Sequence, residues 1–354
     1  LLQFPFFMKI TRSKTSRLDQ VDFENLGFGA GLSDHVFRAE YKDGQWDDGV
    51  IEPYGHLRQG LGLHALHYGQ AVFEGQKAYK QADGGIAVFR PERNFDRINL
   101  SGDRMCIPTI PKDLFMNGLM ELIRVDRDWV PSGKNQALYL RPFTFASAEW
   151  VIPKASDQYT FGIVTCPVGE LYSGAIKVKI EQEFTRATQG GVGFAKAAGN
   201  YGGSFLATRK AVEEGFSQVL WTDHKEHKFI EEAGTMNVAL IINDVLVTPK
   251  LSDTILAGIT RDSILTLVRE WGIEVQERDI TVDELLDSVK SGDLQEAFGM
   301  GTAAVISPIN GFGYQGTVID CPFKEDGMAT RIKTALSDIR YGRVEDSHGW
   351  MHRI

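Results

Sequence analysis

The residue with the clearest chemical potential in this chain is a single lysine in a stretch of small residues. Lys196 lies within residues 190–204, with glycines on both sides of it. Glycine lacks a Cβ atom, so the backbone can come close to a ligand at these positions. A lysine that forms a Schiff base needs an uncluttered approach and a fixed, partly desolvated amine. Two interpretations are open: a Schiff-base lysine, or a lysine in solvent on a glycine-rich loop between a strand and a helix.

Two adjacent carboxylates, Glu231 and Glu232, lead into a turn of small residues and then into an apolar strand. Neighbouring residues of a strand point to opposite faces. One of the two is therefore expected to face inward, where a charge needs a cationic partner.

Two segments of the second half supply groups suited to an anion. Residues 258–260 read Gly-Ile-Thr and open a predicted helix over residues 261–271. Thr260 is a good N-cap residue, and the free amides of a helix N-terminus bind anions. Residues 299–303 form a glycine-bracketed turn that offers more amides.

One ligand accounts for the lysine, the inward carboxylate, the helix N-terminus and the glycine-bracketed turn together. Pyridoxal phosphate carries an aldehyde for a lysine and a pyridine nitrogen for a carboxylate. Its phosphate needs amides, hydroxyls and an arginine.

The first half offers two arginines of interest. Arg97 lies on a predicted helix over residues 90–101, where it is either a solvated surface residue or part of an anion site. Arg141 stands inside the apolar strand predicted for residues 137–145. Its charge needs a partner, which is either internal or the carboxylate of a ligand. In an empty pocket it is expected to lean on a carbonyl, a hydroxyl or water.

Periodicity supports an ordinary globular framework around these residues. Apolar residues recur at helical spacing over Lys112–Val125, which predicts an amphipathic helix with Leu114, Leu119, Leu122 and Ile123 on its buried side. Thr281 and Glu284 have the spacing of a capping box. His64 and His67 could share a helix face, but no acidic ligand is obvious near them, so no metal is expected.

Composition limits the class of protein. The 354 residues suffice for two domains, and a net charge of −9 with a pI of about 5.5 argues against a nucleic-acid or membrane partner. Three widely spaced cysteines indicate a reducing compartment, taken as the cytoplasm. Residues 1–7 are interpreted as a leader ahead of Met8. The predicted division is a smaller domain over residues 1–168, a linker over 169–180 and a larger cofactor-binding domain over 181–354.

The chain resembles the branched-chain amino-acid aminotransferases, which are fold-type IV pyridoxal-phosphate enzymes with two α/β domains. The segments that carry the resemblance are Lys-x-x-Gly-Asn-Tyr-Gly from Lys196 and Glu-x-Gly-Thr-Met-Asn from Glu232. Matching segments span nearly the whole chain from about Leu26 onward. One departure is a Cys-x-x-Cys pair of the mammalian members, which is Ala304 and Ser307 here.

The resemblance implies a role for each site residue. Lys196 forms the Schiff base, Tyr201 bonds the phenolic oxygen of the cofactor, and Glu232 faces the pyridine nitrogen. The other predicted cofactor residues are Arg97, Ile259, Thr260 and Thr302 at the phosphate, Arg186 near the cofactor, and Thr235. The predicted substrate residues are Phe28, Tyr68, Phe73 and Tyr139 in an apolar pocket, Arg141 for the distal carboxylate of glutamate, and Ala303, whose amide meets the substrate carboxylate.

The function implied is transfer of the amino group of leucine, isoleucine or valine to 2-oxoglutarate by ping-pong kinetics, in a homodimer. The same fold also hosts D-amino-acid aminotransferases and aminodeoxychorismate lyases. The aromatic pocket residues and the Met236–Asn237 form of the turn point away from both. A non-enzymatic anion-binding protein is disfavoured by the presence of Lys196 and Glu232 together.

Overall fold

The computed structural model describes residues 8–29, 31–170 and 174–354. The predicted leader, residues 1–7, and residues 171–173 of the predicted linker lie outside the described part. The elements are named in chain order. The strands are β1 (Lys9–Ile10), β2 (His35–Lys42), β3 (Gln45–Trp46), β4 (Val50–Pro53), β5 (Ala71–Phe73), β6 (Gln76–Lys80), β7 (Ile86–Phe89), β8 (Ala137–Ala146), β9 (Tyr159–Val168), β10 (Ile176–Ile180), β11 (Gln218–Thr222), β12 (Ile230–Ala233), β13 (Met236–Ile242), β14 (Val245–Pro249), β15 (Val275–Arg278), β16 (Leu294–Gly301), β17 (Val305–Tyr314), β18 (Thr317–Asp320) and β19 (Met351–Arg353).

The helices alternate with these strands, as expected for a mixed α/β chain. They are α1 (His64–Tyr68), α2 (Pro91–Arg104), α3 (Lys112–Val125), α4 (Ala198–Glu213), α5 (Ile259–Glu270), α6 (Val282–Ser291) and α7 (Met328–Arg340), with short 3₁₀ turns at Leu18–Gln20 and Arg127–Trp129.

The contacts of the chain divide it into two compact units. Unit 1 contains the described residues up to Glu170, together with Ala195–Gly199 and Ile339–Ile354; unit 2 contains residues 174–194 and Asn200–Asp338. The domain limits predicted from the sequence stay a prediction. They assign Ala195–Gly199 and Ile339–Ile354 to the second domain, whereas both segments make their contacts with unit 1. The reason is long-range pairing, because β19 forms the edge of the unit 1 sheet beside β7.

Unit 1 is built on one ten-stranded sheet with the order β1-β4-β2-β9-β8-β6-β7-β19; β3 pairs with β2 and β5 with β8. Helix α3 spans the predicted residues and packs against β2. Its four predicted core residues are at most 3% exposed, which confirms the helical periodicity. Burial of each leucine or isoleucine contributes on the order of 1.5–3 kcal/mol. This core fixes the strands β5 and β8, which carry the candidate site residues Phe73, Tyr139 and Arg141.

Unit 2 has a nine-stranded sheet with the order β12-β11-β10-β17-β16-β13-β14-β15; β18 pairs with β17, and β12 also pairs with β13. Strand β10 runs parallel to both neighbours, β11 and β17, while β13 is antiparallel to β14 and β16. The amide of Glu284 donates to Oγ1 of Thr281 at 3.0 Å, so Thr281 caps α6 as predicted. Helix α5 begins at Ile259 rather than at residue 261.

Candidate active site

Lys196 is held in unit 1 by its backbone on both sides. Its amide donates to Oγ of the fully buried Ser101 at 2.9 Å, and its carbonyl accepts from the amide of Phe73 at 3.1 Å. The next residue, Ala197, forms an antiparallel bridge with Val72. The half-buried side chain places Nζ 4.8 Å from the centre of the Phe73 ring. These contacts give the amine a fixed setting, which the solvent-loop interpretation does not require.

The glycines around Lys196 differ in how much space a Cβ atom would have. A Cβ atom at Gly193 would lie 2.7 Å from Cα of Thr254, so this position needs glycine. Gly199, Gly202 and Gly203 have no described atom within 4 Å of such a Cβ. Gly193 thus makes a close contact within unit 2, and the approach of the glycine backbone to a ligand stays a prediction.

Arg97 is bound by a carboxylate that the sequence analysis overlooked. Glu74 is fully buried and accepts from Nε of Arg97 at 2.6 Å and from Nη2 at 2.8 Å. Its Oε2 also accepts from Nδ2 of Asn94 at 2.7 Å and from the amide of Gly75 at 3.0 Å. Burial alone would raise the pKa of the Glu74 carboxyl. Arg97, Lys196 and Asn94 lower it by more than burial raises it, so the pKa lies below its ordinary value. A glutamate directly after an apolar strand was the available signal.

Four of the predicted substrate residues come together on one face of unit 1. Phe28 packs edge-on against Tyr139, with ring centres 5.0 Å apart. Nη2 of Arg141 donates to the Tyr139 hydroxyl at 3.0 Å, and the guanidinium lies 4.6 Å from the centre of the Phe73 ring. This is the resting contact with a hydroxyl that was expected for an arginine in an empty pocket. Cys166, which the sequence analysis did not single out, pairs with Tyr139 across the sheet.

Tyr68 is placed apart from this group. It packs on the imidazole of His64 at 4.8 Å and is 42% exposed. Nε2 of His64 lies 2.8 Å from the carbonyl oxygen of Lys154, and Nε2 of His67 lies 2.8 Å from that of Leu61. Both imidazoles thus have backbone partners. In the described residues no cluster of three or more His, Cys, Asp or Glu could hold a metal.

Glu232 is the fixed carboxylate of unit 2. Its Oε2 lies 2.5 Å from Nη2 of Arg186, and its Oε1 accepts from Nδ2 of Asn237 at 2.9 Å. Arg186 is itself oriented by the carbonyl oxygens of Thr254 (2.5 Å) and Gly193 (3.2 Å). Asn237, not identified from the sequence, is opposite Glu232 in the β12–β13 hairpin.

The expectation that only one of the adjacent glutamates faces inward is wrong. Glu231 and Glu232 are 6% and 4% exposed, because both faces of β12 are covered. Oε1 of Glu231 accepts from the Thr254 hydroxyl at 2.6 Å.

Helix α5 presents its N-terminus without a side-chain cap. The N-cap residue is Gly258, and Thr260 is the second residue of the helix, so the prediction of Thr260 as N-cap is wrong. A Cβ atom at Gly258 would collide with Oδ1 of Asn237, which excludes a larger capping residue there. Ile259 and Thr260 are both buried. The helix N-terminus therefore has the form expected of an anion site.

The remaining predicted residues lie in turns and on α4. Thr302 and Ala303 form the turn between β16 and β17, which closes at Val305 with φ of 61°, a strained value for a β-branched residue. Thr235 is exposed at the tip of the β12–β13 hairpin, next to Gly234. Tyr201 is half-buried on α4, and its carbonyl accepts from Oγ of Ser204 at 2.7 Å. No helix in the described ranges combines the length and apolar character that a membrane crossing needs.

Comparison with known proteins identifies the family to which the chain belongs. The family model for class IV amino-transferases matches residues 71–312. Branched-chain-amino-acid aminotransferase 2 of Bacillus subtilis (strain 168) is 42% identical over 352 residues, covering 98% of this chain and 96% of the relative. The branched-chain-amino-acid aminotransferase of Mycolicibacterium smegmatis is 39% identical, covering 97% of this chain and 96% of the relative.

Solved structures show the same fold. The branched-chain amino acid aminotransferase of Escherichia coli has a TM-score of 0.71 at 25% identity, covering 90% of this chain and 98% of that one. The branched-chain aminotransferase of the thermophilic archaeon Thermoproteus uzoniensis, solved with norvaline, has a TM-score of 0.75 at 24% identity, covering 91% and 99%. Each match extends over nearly the full length of both chains compared. The chain belongs to the class IV aminotransferases and, within them, to the branched-chain amino-acid aminotransferase family, with the fold-type IV architecture.

Proposed function

We propose that this protein transfers the amino group of L-leucine, L-isoleucine or L-valine to 2-oxoglutarate, with pyridoxal 5'-phosphate as its cofactor. The observation that carries the proposal is the pair of fixed groups Lys196 and Glu232, each held by buried partners within its own unit. Class IV aminotransferases use this cofactor, and the family match covers both residues.

The residues present fit the cofactor. Lys196 supplies the amine, and Glu232 supplies a carboxylate that Arg186 and Asn237 hold in place. The buried N-terminus of α5, whose N-cap Gly258 leaves no room for a side chain, suits a phosphate. Arg97, Thr260 and Thr302 add a guanidinium and two hydroxyls. We also propose binding roles for Tyr201, Thr235, Ile259 and the Ala303 amide.

The bound cofactor supplies an aldehyde that captures amino groups and a ring that withdraws electrons from the bond broken at the substrate α-carbon. The protein supplies the rest. Nζ of Lys196 would take the proton from the α-carbon of the amino acid and give it up to the cofactor, and in the second half-reaction it would carry a proton back to the α-carbon of the new amino acid. The Glu232 carboxylate stabilises a proton on the ring nitrogen that it faces. Arg186 and Asn237 keep that carboxylate from turning away.

The substrate pocket explains how two kinds of side chain can alternate. Phe28, Phe73 and Tyr139 offer apolar surface to a branched side chain, which needs no polar partner. Arg141 stacks on Phe73 and bonds Tyr139, so its guanidinium has no carboxylate partner among the described residues. The distal carboxylate of glutamate or 2-oxoglutarate would pair with the Arg141 guanidinium, ideally through two hydrogen bonds. Since the substrates alternate in one pocket, ping-pong kinetics are expected.

The test is a half-reaction screen with L- and D-amino acids, following the visible absorbance of the bound cofactor. The L-enantiomers of leucine, isoleucine, valine and glutamate are expected to bleach the band. Lys196→Ala is expected to fold and to lower turnover by roughly 10²–10⁴-fold or more, because the acid–base group is lost. Near wild-type turnover by this variant, or bleaching by D-amino acids alone, would contradict the proposal.

We further propose a homodimer that works in the cytoplasm. Unit 1 exposes large apolar side chains on two of its segments, namely Leu57, Leu61, Leu66 and Tyr68 on the first and Val151 and Ile152 on the second. The two segments are joined, since the Gly60 amide donates to the Glu149 carboxylate at 2.6 Å and Leu63 bridges Glu149. A contiguous exposed apolar patch is typical of a protein interface. All three cysteines are free thiols, which suits a reducing compartment.

Sedimentation tests this assembly. The wild-type protein is expected to sediment as a dimer, and Leu61→Asp with Leu66→Asp is expected to dissociate it. A fully active wild-type monomer at working concentration would refute the dimer and leave the transaminase proposal standing.

A further inference from the structure

Strand β12 buries a second carboxyl group beside the one assigned to the cofactor. Oε1 of Glu231 accepts from the Thr254 hydroxyl at 2.6 Å. Its Oε2 is also buried and has no hydrogen-bond partner among the described residues. A buried carboxyl group with one unsatisfied oxygen is costly, so its presence in unit 2 calls for an explanation.

Thr254 connects Glu231 to Arg186. The Thr254 carbonyl oxygen accepts from Nη2 of Arg186 at 2.5 Å, and the same nitrogen lies 2.5 Å from Oε2 of Glu232. The Thr254 hydroxyl also lies 2.9 Å from that of Ser252. A continuous series of contacts therefore runs from Glu231 through Thr254 and Arg186 to Glu232.

The backbone of Thr254 has little freedom to move. Gly193 packs so closely against it that a Cβ atom would lie 2.7 Å from Cα of Thr254. The Gly193 carbonyl oxygen also accepts from Arg186, at 3.2 Å. A shift of Thr254 must therefore also shift the guanidinium that it orients.

We propose that Glu231 and Thr254 are positioning residues for Glu232: they fix the carbonyl that orients Arg186, and the charge on Glu231 sets how Arg186 divides its attraction between the two carboxylates. This inference rests on the proposed function, in which Glu232 faces the ring nitrogen of the cofactor.

The surroundings of Glu231 favour its neutral form. Burial raises its pKa to about 7, with Glu232 and Asp223 adding to the rise, while the Thr254 hydrogen bond and Arg186 oppose it. Arg186, Glu232 and Asp223 are the charged groups that act on it. Above this pH the ionised Glu231 adds negative charge beside Arg186, which increases the proton affinity of neighbouring groups.

The experiment is a pH titration of the visible band of the holoenzyme, in wild type and variants reconstituted with pyridoxal phosphate. Glu231→Gln keeps an oxygen for the Thr254 hydroxyl but removes the charge. It is expected to move the midpoint of the titration to lower pH by about half a unit or more. The exposed Glu226→Gln is the matched control and is expected to titrate as wild type.

The hydroxyl is tested separately. Thr254→Val is expected to weaken binding of pyridoxal phosphate by about tenfold, because one hydrogen bond of the series is lost. Thr254→Ser keeps the hydroxyl and is expected to restore wild-type affinity and titration. The comparison of Thr254→Val with Thr254→Ser tests the positioning role even if Glu231→Gln fails to fold.

The outcomes separate this inference from the proposed function. Wild-type titrations and affinities in both Glu231→Gln and Thr254→Val would overturn the positioning role, and an equal loss in Thr254→Val and Thr254→Ser would overturn the part of the hydroxyl. A wild-type protein that forms no visible band with pyridoxal phosphate, or a Lys196→Ala variant with near wild-type turnover, would instead overturn the proposed function.

Discussion

Each unit contains a buried glutamate–arginine pair among its candidate site residues, and the two pairs are built in opposite ways. In unit 1 the glutamate is enclosed: Glu74 accepts from two nitrogens of Arg97, from Asn94 and from the Gly75 amide. In unit 2 the arginine is enclosed, since Arg186 donates to two backbone carbonyls as well as pairing with Glu232.

The difference indicates which member of each pair serves the ligand. We infer that the member of each pair that also contacts the backbone is the support, and that its partner is the group held in position. Glu74 thus supports a cation, Arg97, where a phosphate is expected. Arg186 supports an anion, Glu232, where a protonated ring nitrogen is expected. A glutamate therefore supports an arginine in unit 1, whereas an arginine supports a glutamate in unit 2.

The largest expected effect is on the unit 1 pair. Glu74→Gln removes the carboxylate that pairs with the buried guanidinium of Arg97, which is expected to destabilise the fold by about 3–5 kcal/mol. Chemical unfolding measures this loss. Glu52→Gln removes one of two partly exposed partners of Arg38 in the same unit and is expected to lose less than about 1 kcal/mol. Equal small losses in both variants would mean that Glu74 is not a support.

The unit 2 pair is expected to respond in catalysis more than in stability. Glu232→Gln keeps a side chain that Asn237 and Arg186 can contact, but a neutral amide does not favour a protonated ring nitrogen. Both half-reactions are expected to slow by roughly 10²-fold, with the cofactor still bound. Stopped-flow absorbance measures each rate. A larger rate loss in Glu231→Gln than in Glu232→Gln would reverse the assignment of the two carboxylates.

Arg141 extends the comparison to an arginine that has no carboxylate within the described chain. Arg141→Met is expected to slow the glutamate half-reaction by about one to two decades, because a charged hydrogen-bonded contact contributes about 1.5–3 kcal/mol. The leucine half-reaction is expected to change little, since leucine offers that guanidinium nothing to bind. Single-turnover rates with each amino acid test this. An equal loss with both would assign Arg141 to the shared α-carboxylate or to the fold.

The smallest expected effect is a pH dependence of stability. The pKa of Glu231 is raised to about 7 in the folded protein, so its favourable contribution is present below the ordinary value of 4.5 and is lost as the pH rises to 7. Glu231→Gln removes this loss. Relative to wild type, the variant is expected to gain on the order of 1–3 kcal/mol between pH 4.5 and pH 8. Thermal unfolding across this range measures the gain, and a constant difference would contradict the raised pKa.

Local patterns in the sequence predicted local structure well. Helix α3 follows from the spacing of its apolar residues, and Thr281 caps α6 as its spacing with Glu284 indicates. The prediction for Glu231 failed because strand alternation assumes one exposed face, whereas β12 is covered on both. Whether a strand is covered on both faces depends on distant segments, which alternation alone does not reveal.

The supporting residues of the site were the hardest to predict. Glu74 and Arg97 are 23 residues apart, and Phe28 is far from Tyr139 in the sequence, so these contacts come from tertiary packing between distant segments. The resemblance identified residues proposed to touch the ligand, but it assigned no role to Glu74, Asn94 or Asn237. An acidic residue at the end of an apolar strand was a usable signal, because such a charge needs a buried partner.

The most direct test of the central claim is to find which lysine carries the cofactor. Unit 1 contains a second candidate, since burial lowers the pKa of Lys77 to about 7 and leaves much of that amine neutral at working pH. The holoenzyme is reduced with borohydride, digested and analysed by mass spectrometry. The account predicts that the phosphopyridoxyl mass lies on the peptide containing Lys196 and is absent in Lys196→Ala. The same label on the Lys77 peptide, with Lys196 unmodified, would contradict it.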